Sequence, residues 1–557
     1  MRWKRIVSFV LLAFLMSGCV ARVDLATMQP HTEIDAPSVY GAHTVGQTFL
    51  AQRRNLCGIE LWVAKGAAIS GPLVVRLRAT PEGRDLARVT LEPADQARRD
   101  TLRVRFPPQA HSREVRYFVQ IEAPEAAARQ PFHLRAAPRD VYAPGTAYAD
   151  GKPWPGDLAF RALYAYDAGY LWADVRSGLR WIWLLLPALA LFWAPGALLL
   201  RLWPPVERRF DSWERLGLSL GLSLAFVAFS LLWFTQLGGR LNVTLARLLY
   251  GVLGLAALLV TGWRCWRRRT RLWRRVTHPN ARTARVFLLG LVLTVGLVAR
   301  LITIRDLAFP AWVDSVHHAT LAQIIVERGQ VPATYAPYVA VDQATYHFGF
   351  HAAVAHFTWL SGLPVEGAML LVGQLFNAAM ALQVYLLARR LTRGRWTPFF
   401  AALFVALLST MPAYYVSWGR YTQLTGLLIL PVAAGLTLEA VEGRDRRGMA
   451  LALFSQAGLI LIHYRVLAFY ACFGAAWWLV RLMGEPAAWR KRLRELGLHL
   501  ALGVGAAVTL LPWLANPAIH LWLRAWRHSG GDGSTSSVLW ASTWQYAARA
   551  FDRYLLT

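Results

Sequence analysis

From about residue 178 onward, apolar runs close to twenty residues long recur along the chain, separated by short polar links. A helix needs roughly 20 apolar residues to cross the hydrocarbon core of a bilayer. The pattern therefore predicts about ten spans, at 181–201, 216–236, 244–263, 285–304, 365–388, 397–413, 424–441, 449–463, 466–483 and 496–514. Residues 24–168 sustain no such run. They alternate apolar and polar positions over short stretches such as HTVGQTFLA, LVVRLRAT, TLRVRFPP and VRYFVQIEA, divided by turn-rich links such as PEGRD and YAPGTAYADGKPWPGD. Two-residue periodicity at that spacing predicts roughly eight strands in an all-β sandwich, a jelly roll by preference.

The expected organisation follows. Residues 1–19 form a signal-like segment, 24–168 a β-sandwich domain, 178–284 accessory transmembrane helices, 285–515 a further transmembrane domain with a large loop at 305–364, and 516–557 a tail. The first segment has a basic start (Arg2, Lys4, Arg5), an apolar run from Ile6 to Met16, and then Ser17-Gly18-Cys19. Small residues before a cysteine match a bacterial lipoprotein signal, which makes Cys19 a candidate for lipidation. An ordinary export signal and an uncleaved anchor are the other readings, and all three place the β domain outside the cytoplasm.

Composition agrees with a polytopic membrane protein, since the mean hydropathy is +0.33 and 56% of residues are hydrophobic. The net charge of +28 would suggest a nucleic-acid partner in a soluble chain. Here the arginines sit in the links between apolar runs, which is the positive-inside pattern, so no nucleic acid is expected. Four scattered cysteines (Cys19, Cys57, Cys265, Cys472) give neither a zinc spacing nor a disulfide framework.

With the β domain outside, the heavily basic links around Arg201–Arg215, Arg264–Arg275, Arg389–Arg395, Arg444–Arg447 and Arg490–Arg494 all fall on the cytoplasmic side. That count holds only if HFGFHAAVAHFTWLSG, residues 347–362, does not cross. It is expected to lie at, or dip into, the outer face. The same topology sends a polar island, residues 310–351, outside, and sorts the chemistry. Asp314, His317, His318, Asp342, Tyr346, His347 and His351 fall in the large outer loop; Tyr414, Tyr415, Trp418, Arg420 and Tyr421 in the next outer link; His463 and Arg465 in the tight turn after that.

Within the island, Val313 to Arg328 is expected to be helical, with Val316, Ala319, Ile324 and Ile325 as packing positions and Gly329 as the stop. Residues three and four apart share a helix face, so Asp314, His317 and His318 can point together. Such a set suits a base, an anion-binding rim, or a divalent metal held by Asp314 and His318; the alternative is a solvated interfacial helix. Arg420 at the mouth of a span can hold phosphate oxygens or simply snorkel to the interface. In the β domain Trp62, Tyr117 and Trp154 are candidates to stack on sugars, against the ordinary role of aromatics as core.

The span at 285–304 leads into WVDSVHHATLAQIIVERGQVP, and YHFGFHAAVAHFTWLSGLPVEGAMLLVGQLFNAAMALQVYLLARRL follows. This outline resembles the C-superfamily of glycosyltransferases (GT-C), which includes protein mannosyltransferases, aminoarabinose transferases and oligosaccharyltransferases. In that superfamily a rising span opens into a large outer loop with an acidic motif. The resemblance covers roughly residues 285–515 and departs at two points. Ser315 follows Asp314 where many members have a second acid, and His347-Phe348-Gly349 stands in place of a Pro-containing element.

The resemblance implies inverting transfer of a sugar from a polyprenyl-phosphate donor to an envelope glycan, lipid or protein acceptor at the outer face of the cytoplasmic membrane. It implies Asp314 as base, with His317 and His318 assisting it or binding a metal. Arg420, Arg465, His463 and Tyr421 would lie on the donor phosphate, and Tyr346, His347, His351 and Asp342 around the acceptor. No cofactor follows beyond the possible divalent metal. A lipid or polysaccharide transporter or flippase and a non-catalytic envelope scaffold are the alternative readings.

Overall fold

The computed structural model describes residues 21–64, 71–92, 100–179, 181–270, 281–305, 307–339, 346–443, 445–484 and 489–514. The expected sites at Cys19 and Asp342 and the tail at 516–557 lie outside these. Two units result, Met1–Ser177 and Gly178–Thr557.

Alternation in the first unit is realised as strands β1 (Ala21–Gln29), β2 (Ile34–Asp35), β3 (Thr44–Ala51), β4 (Leu56–Trp62), β5 (Leu73–Arg78), β6 (Asp85–Leu91), β7 (Thr101–Gln109), β8 (Val115–Glu122), β9 (Arg135–Ala137), β10 (Ala147–Ala149), β11 (Lys152–Trp154), β12 (Asp157–Leu158) and β13 (Phe160–Ala165). They form sheets in the orders β11-β10-β3-β8-β5-β6, β1-β13-β4-β7 and β12-β9-β2. Phe49, Val75, Val119 and Ile121 of the first sheet and Ile59, Leu61 and Phe160 of the second share one hydrophobic core. Burying each such side chain is worth about 1.5–3 kcal/mol.

The four quoted stretches each contain a strand, β3, β5, β7 and β8. The alternation does not predict β1, which pairs with β13 from Ala21↔Ala165 onward, the short β2, or the β10–β11 hairpin. That hairpin turns at Asp150-Gly151, both with positive φ (50° and 78°), the backbone that a two-residue Asp-Gly turn supplies. Of the three proposed stacking aromatics, Tyr117 is core and Trp154 packs partly buried against it.

Among the described residues of the second unit eight helices are long and apolar enough to cross a membrane: Ile182–Arg201, Ser212–Gln236, Val243–Arg267, Thr283–Thr303, Val365–Leu391, Thr397–Ser417, Tyr421–Gly443 and Val466–Gly484. The chain is a multi-pass membrane protein. Helices also form at the other two expected positions, Arg446–His463 and Trp489–Thr509, but each opens on basic residues and neither is among the eight. Tyr421–Gly443 is buried along most of its length at the centre of the unit, whereas Val243–Arg267 and Val466–Gly484 turn apolar side chains outward, as lipid-facing helices do.

Gly349–Ser361 does not cross, as expected, but it is buried rather than laid along a surface. Thirteen residues reach only about 20 Å at 1.5 Å per residue, too short to cross, yet Phe350, Ala352, Ala353, Val354, Ala355 and Phe357 are all wholly buried among the other helices. A helix that is apolar all round is buried in protein rather than laid on a surface.

Helix Val313–Arg328 forms with the expected bounds. Gly329 ends it in the left-handed conformation (φ +67°), and a Cβ there would lie 1.9 Å from the Leu241 carbonyl oxygen, so only glycine fits. Ile324 and Ile325 are buried as expected, but Val316 is exposed, because the polar Ser315 and His318 occupy the inward face beside it.

Arginines from the links that charge counting grouped on one side meet in an ionic layer. Arg390 pairs with Glu214 (2.6 Å) and Glu439 (3.2 Å), Arg209 also reaches Glu439 (3.2 Å), and Arg264 holds Glu207 (2.8 Å). Within the Ala281–Thr303 helix, buried Arg300 donates to Asn377 Oδ1 (2.6 Å) and to the carbonyls of Ala406 (2.7 Å) and Val405 (3.3 Å). Those carbonyls lie in a wide helical turn, Phe404–Leu408.

Candidate functional site

Residues from three separate links come together at the start of helix Val313–Arg328. Its first turn carries Asp314 behind Trp312, a non-glycine residue held at φ +76°. Such a backbone costs about 1–3 kcal/mol and persists where its surroundings enforce it. Trp312 lies 6.2 Å from Trp418, which meets Tyr414 at 4.8 Å with the rings tilted and lies beneath the Arg420 guanidinium at 5.2 Å. Arg420 Nε approaches Asp314 Oδ2 to 3.8 Å, with both side chains about two-fifths exposed. This is a loose pair, held open to water, and worth at most about 1 kcal/mol.

Gly419 makes the approach possible. Its φ is +66°, and a Cβ would sit 3.1 Å from Asp314 Cβ and 3.2 Å from both Ser315 N and Ser315 Oγ. The loop carrying Arg420 is thereby seated directly on the turn carrying Asp314.

One helical turn inward, His318 Nδ1 lies 3.0 Å from His351 Nε2, so one imidazole donates to the other. His351 comes from the buried Gly349–Ser361 helix. Tyr346 stacks on His347 at 3.9 Å, and His347 meets His463 at 4.3 Å between ring centres. Tyr421 opens its helix beside them, stacked on Phe350 at 5.4 Å, and the Tyr346 hydroxyl lies 3.4 Å from Thr422 Oγ1. Arg465 is exposed and carries its charge beside this group.

Burial sets the protonation of the cluster. His318, 6% exposed, is pulled down to about 4, chiefly by desolvation and against the opposing charge of Asp314. Desolvation first, and the neighbouring imidazoles second, also hold His347 and His351 well below the ordinary histidine range. Near neutral pH these rings are uncharged and can accept or relay protons. Among the described residues neither ring nitrogen of His347 finds a hydrogen-bond partner, although the side chain is 1% exposed. An unmet buried polar group costs about 1–3 kcal/mol. His347, His351, Tyr335 and Tyr346 line a cavity of about 10 Å³, room for roughly one water. Tyr335 was not singled out from sequence.

The geometry thus gathers Asp314, His318, Tyr346, His347, His351, Arg420, Tyr421 and His463. It leaves His317 outside: that ring is exposed while His318 turns inward, so the expected three-residue face splits. Among the described residues no three His, Cys, Asp or Glu side chains converge as a metal site, so Asp314 and His318 find no third protein ligand there.

Residues 189–551 match the family model described as a family of unknown function, DUF6541. The chain belongs to DUF6541. No curated protein matches it. The DUF6541 match takes in every gathered residue and excludes the β-unit, so the site lies in the part of the chain that defines the family.

Proposed function

We propose that this DUF6541 protein is a membrane glycosyltransferase of GT-C type, moving a sugar from a polyprenyl-phosphate donor to a cell-envelope acceptor at the outer face of the cytoplasmic membrane. The observation that carries the reading is the approach of Asp314 to Arg420 at the rim of a buried imidazole cluster. Acid and guanidinium come from links about a hundred residues apart and are the two groups such a transfer needs side by side.

In the proposed reaction the acceptor's hydroxyl or amine attacks the anomeric carbon as the bond from that carbon to the phosphate oxygen breaks. The electron pair leaves with the phosphate, and the acceptor's proton passes to Asp314. Arg420 shifts from Asp314 to the phosphate as negative charge grows there, with exposed Arg465 as the second cation. His318 backs Asp314 through its neutral ring, and Tyr346, His347 and His351 shape the acceptor side. In this reading the helices within 285–515 form the GT-C-like body, those within 178–284 are accessory, and the β-unit is an extracytoplasmic jelly-roll sandwich.

A labelled polyprenyl-phosphate sugar offered to reconstituted protein tests the proposal. Asp314→Asn is expected to lower transfer at least about a hundredfold, within the range of general-base contributions, while donor binding persists. Undiminished turnover removes Asp314 from the mechanism. Arg300, a cation within a span and hydrogen-bonded there to Asn377, is also what a transport path would use. Substrate accumulating in vesicles with no glycosidic bond formed would favour a transporter.

A further inference from the structure

We infer that the β-unit carries a binding groove for a neutral saccharide chain, floored by Trp62. The inference concerns this unit alone and stands whether or not the helical unit transfers sugar. An open groove of about 370 Å³ is lined by Thr32, Asp35, Trp62, Asp100 and Arg135, together with Val63 and Ala64. That volume falls within the range of roughly 300–1,000 Å³ typical of small-ligand sites.

Trp62 is held as a rigid platform. Along β4, Leu61 enters the core, so Trp62 points to the opposite face, the one that carries Glu60. Glu60 is 3% exposed and accepts from Arg161 (2.7 Å), Arg103 (3.2 Å) and Thr101 Oγ1 (2.9 Å). Arg161, fixed by that bond, lies over the Trp62 ring at 5.4 Å. An indole clamped in this way loses little further freedom when a ligand settles on it.

Around the platform the polar groups are complementary to sugar hydroxyls. Asp35 and Arg135 face each other across the β2–β9 pair, joined at 2.5 Å. Asp100 stands exposed on the other side, where its carbonyl accepts the Val63 N–H (3.0 Å). A pyranose offers an apolar C–H face to an aromatic ring and hydroxyl edges that both donate and accept. Carboxylates take the donated hydrogens, and the guanidinium supplies one in return.

Charge and backbone exclude the competing occupants. Among the described lining residues two carboxylates stand against one guanidinium, a balance that disfavours acidic polymers. A peptide would add to a free strand edge, but the N–H groups of Trp62, Val63 and Ala64 are already given to the carbonyls of Ala159, Asp100 and His133.

The test uses full-length protein in nanodiscs and, as probes, maltohexaose, cellohexaose and chitohexaose, with a hyaluronan hexasaccharide and hexaalanine as competitors of other classes, read by saturation-transfer NMR and calorimetry. At least one neutral hexasaccharide is expected to bind, with Trp62→Ala weakening it tenfold or more and Trp62→Phe restoring part of the loss. Asp100→Asn, a change at an exposed side chain, is expected to weaken binding severalfold with the thermal midpoint unchanged, which carries the test if Trp62→Ala fails to fold. Binding by none of the three neutral probes, binding indifferent to Asp100→Asn, or preference for the acidic chain or the peptide would overturn the inference.

Discussion

Acidification from pH 7.5 to 5 is expected to destabilise the helical unit through its buried histidines. His318 titrates in the fold at about 4 against an ordinary value of 6.5. Between those values the opened chain takes up a proton that the folded site refuses, so the stability His318 contributes is whole above about 6.5 and drains away as pH falls toward 4. The full difference is about 3 kcal/mol, at 1.36 kcal/mol for each pH decade. About 2 kcal/mol of it is already lost at pH 5. His347 and His351 are depressed by the same desolvation and add in the same direction. Thermal unfolding of the purified protein, followed by helical circular dichroism at several pH values, reads the effect directly. The midpoint should fall steadily below pH 6.5, and His318→Gln, which keeps a hydrogen-bonding group toward His351 but cannot titrate, should flatten the slope by the His318 share. A midpoint indifferent to pH over this interval would mean that the imidazoles are not buried as described.

Two further outcomes concern the scaffold. Gly329→Ala is expected to cost at least about 2 kcal/mol, because the left-handed backbone is strained for any side chain and the new Cβ would meet the Leu241 carbonyl oxygen at 1.9 Å; a thermal midpoint equal to wild type would contradict the fit. Arg300→Met strips partners from Asn377 and from the Ala406 and Val405 carbonyls, for an expected loss of at least about 2 kcal/mol, with Arg300→Lys recovering part; monodispersity after solubilisation and the midpoint of unfolding both report it.

What was legible in the sequence depended on period and punctuation. Helix Val313–Arg328 could be bounded to the residue because Gly329 marks its end, and the strands with clean alternation were found for the same reason. The Asp150-Gly151 hairpin carries an equally strong turn signal, but it is embedded in a long turn-rich link whose flanking strands are only three residues each. Burial of the Gly349–Ser361 helix was harder to read, since a short apolar segment with histidines suits an interface as well as a core until its neighbours are known. Site residues were identifiable as types and as links, which is why Asp314, Arg420, His351 and His463 could be grouped. Which of two adjacent histidines turns inward was not, because both lie within reach of a face centred on Asp314 and only tertiary packing chooses His318. Gly419 and Tyr335 escaped for a related reason: their parts are played through space, against partners far off in the chain.

The two polar regions of the helical unit also constrain each other. Tyr421 begins the central helix in the imidazole cluster, and Glu439, eighteen residues further along the same helix, lies in the ionic layer with Arg390 and Arg209. At 1.5 Å per residue they stand roughly 27 Å apart, close to the ~30 Å hydrocarbon thickness of a bilayer. One layer joins helices by close carboxylate–guanidinium contacts at 2.6–3.2 Å. The other holds neutral rings and one exposed pair at 3.8 Å. Opening a closely paired layer breaks several charge contacts at once, whereas opening the imidazole end breaks one loose ion pair, the His318–His351 hydrogen bond and ring contacts among neutral groups. The ionic layer is therefore the more strongly tied of the two, and the end that carries Asp314 and Arg420 is held mainly by packing and by contacts between uncharged groups.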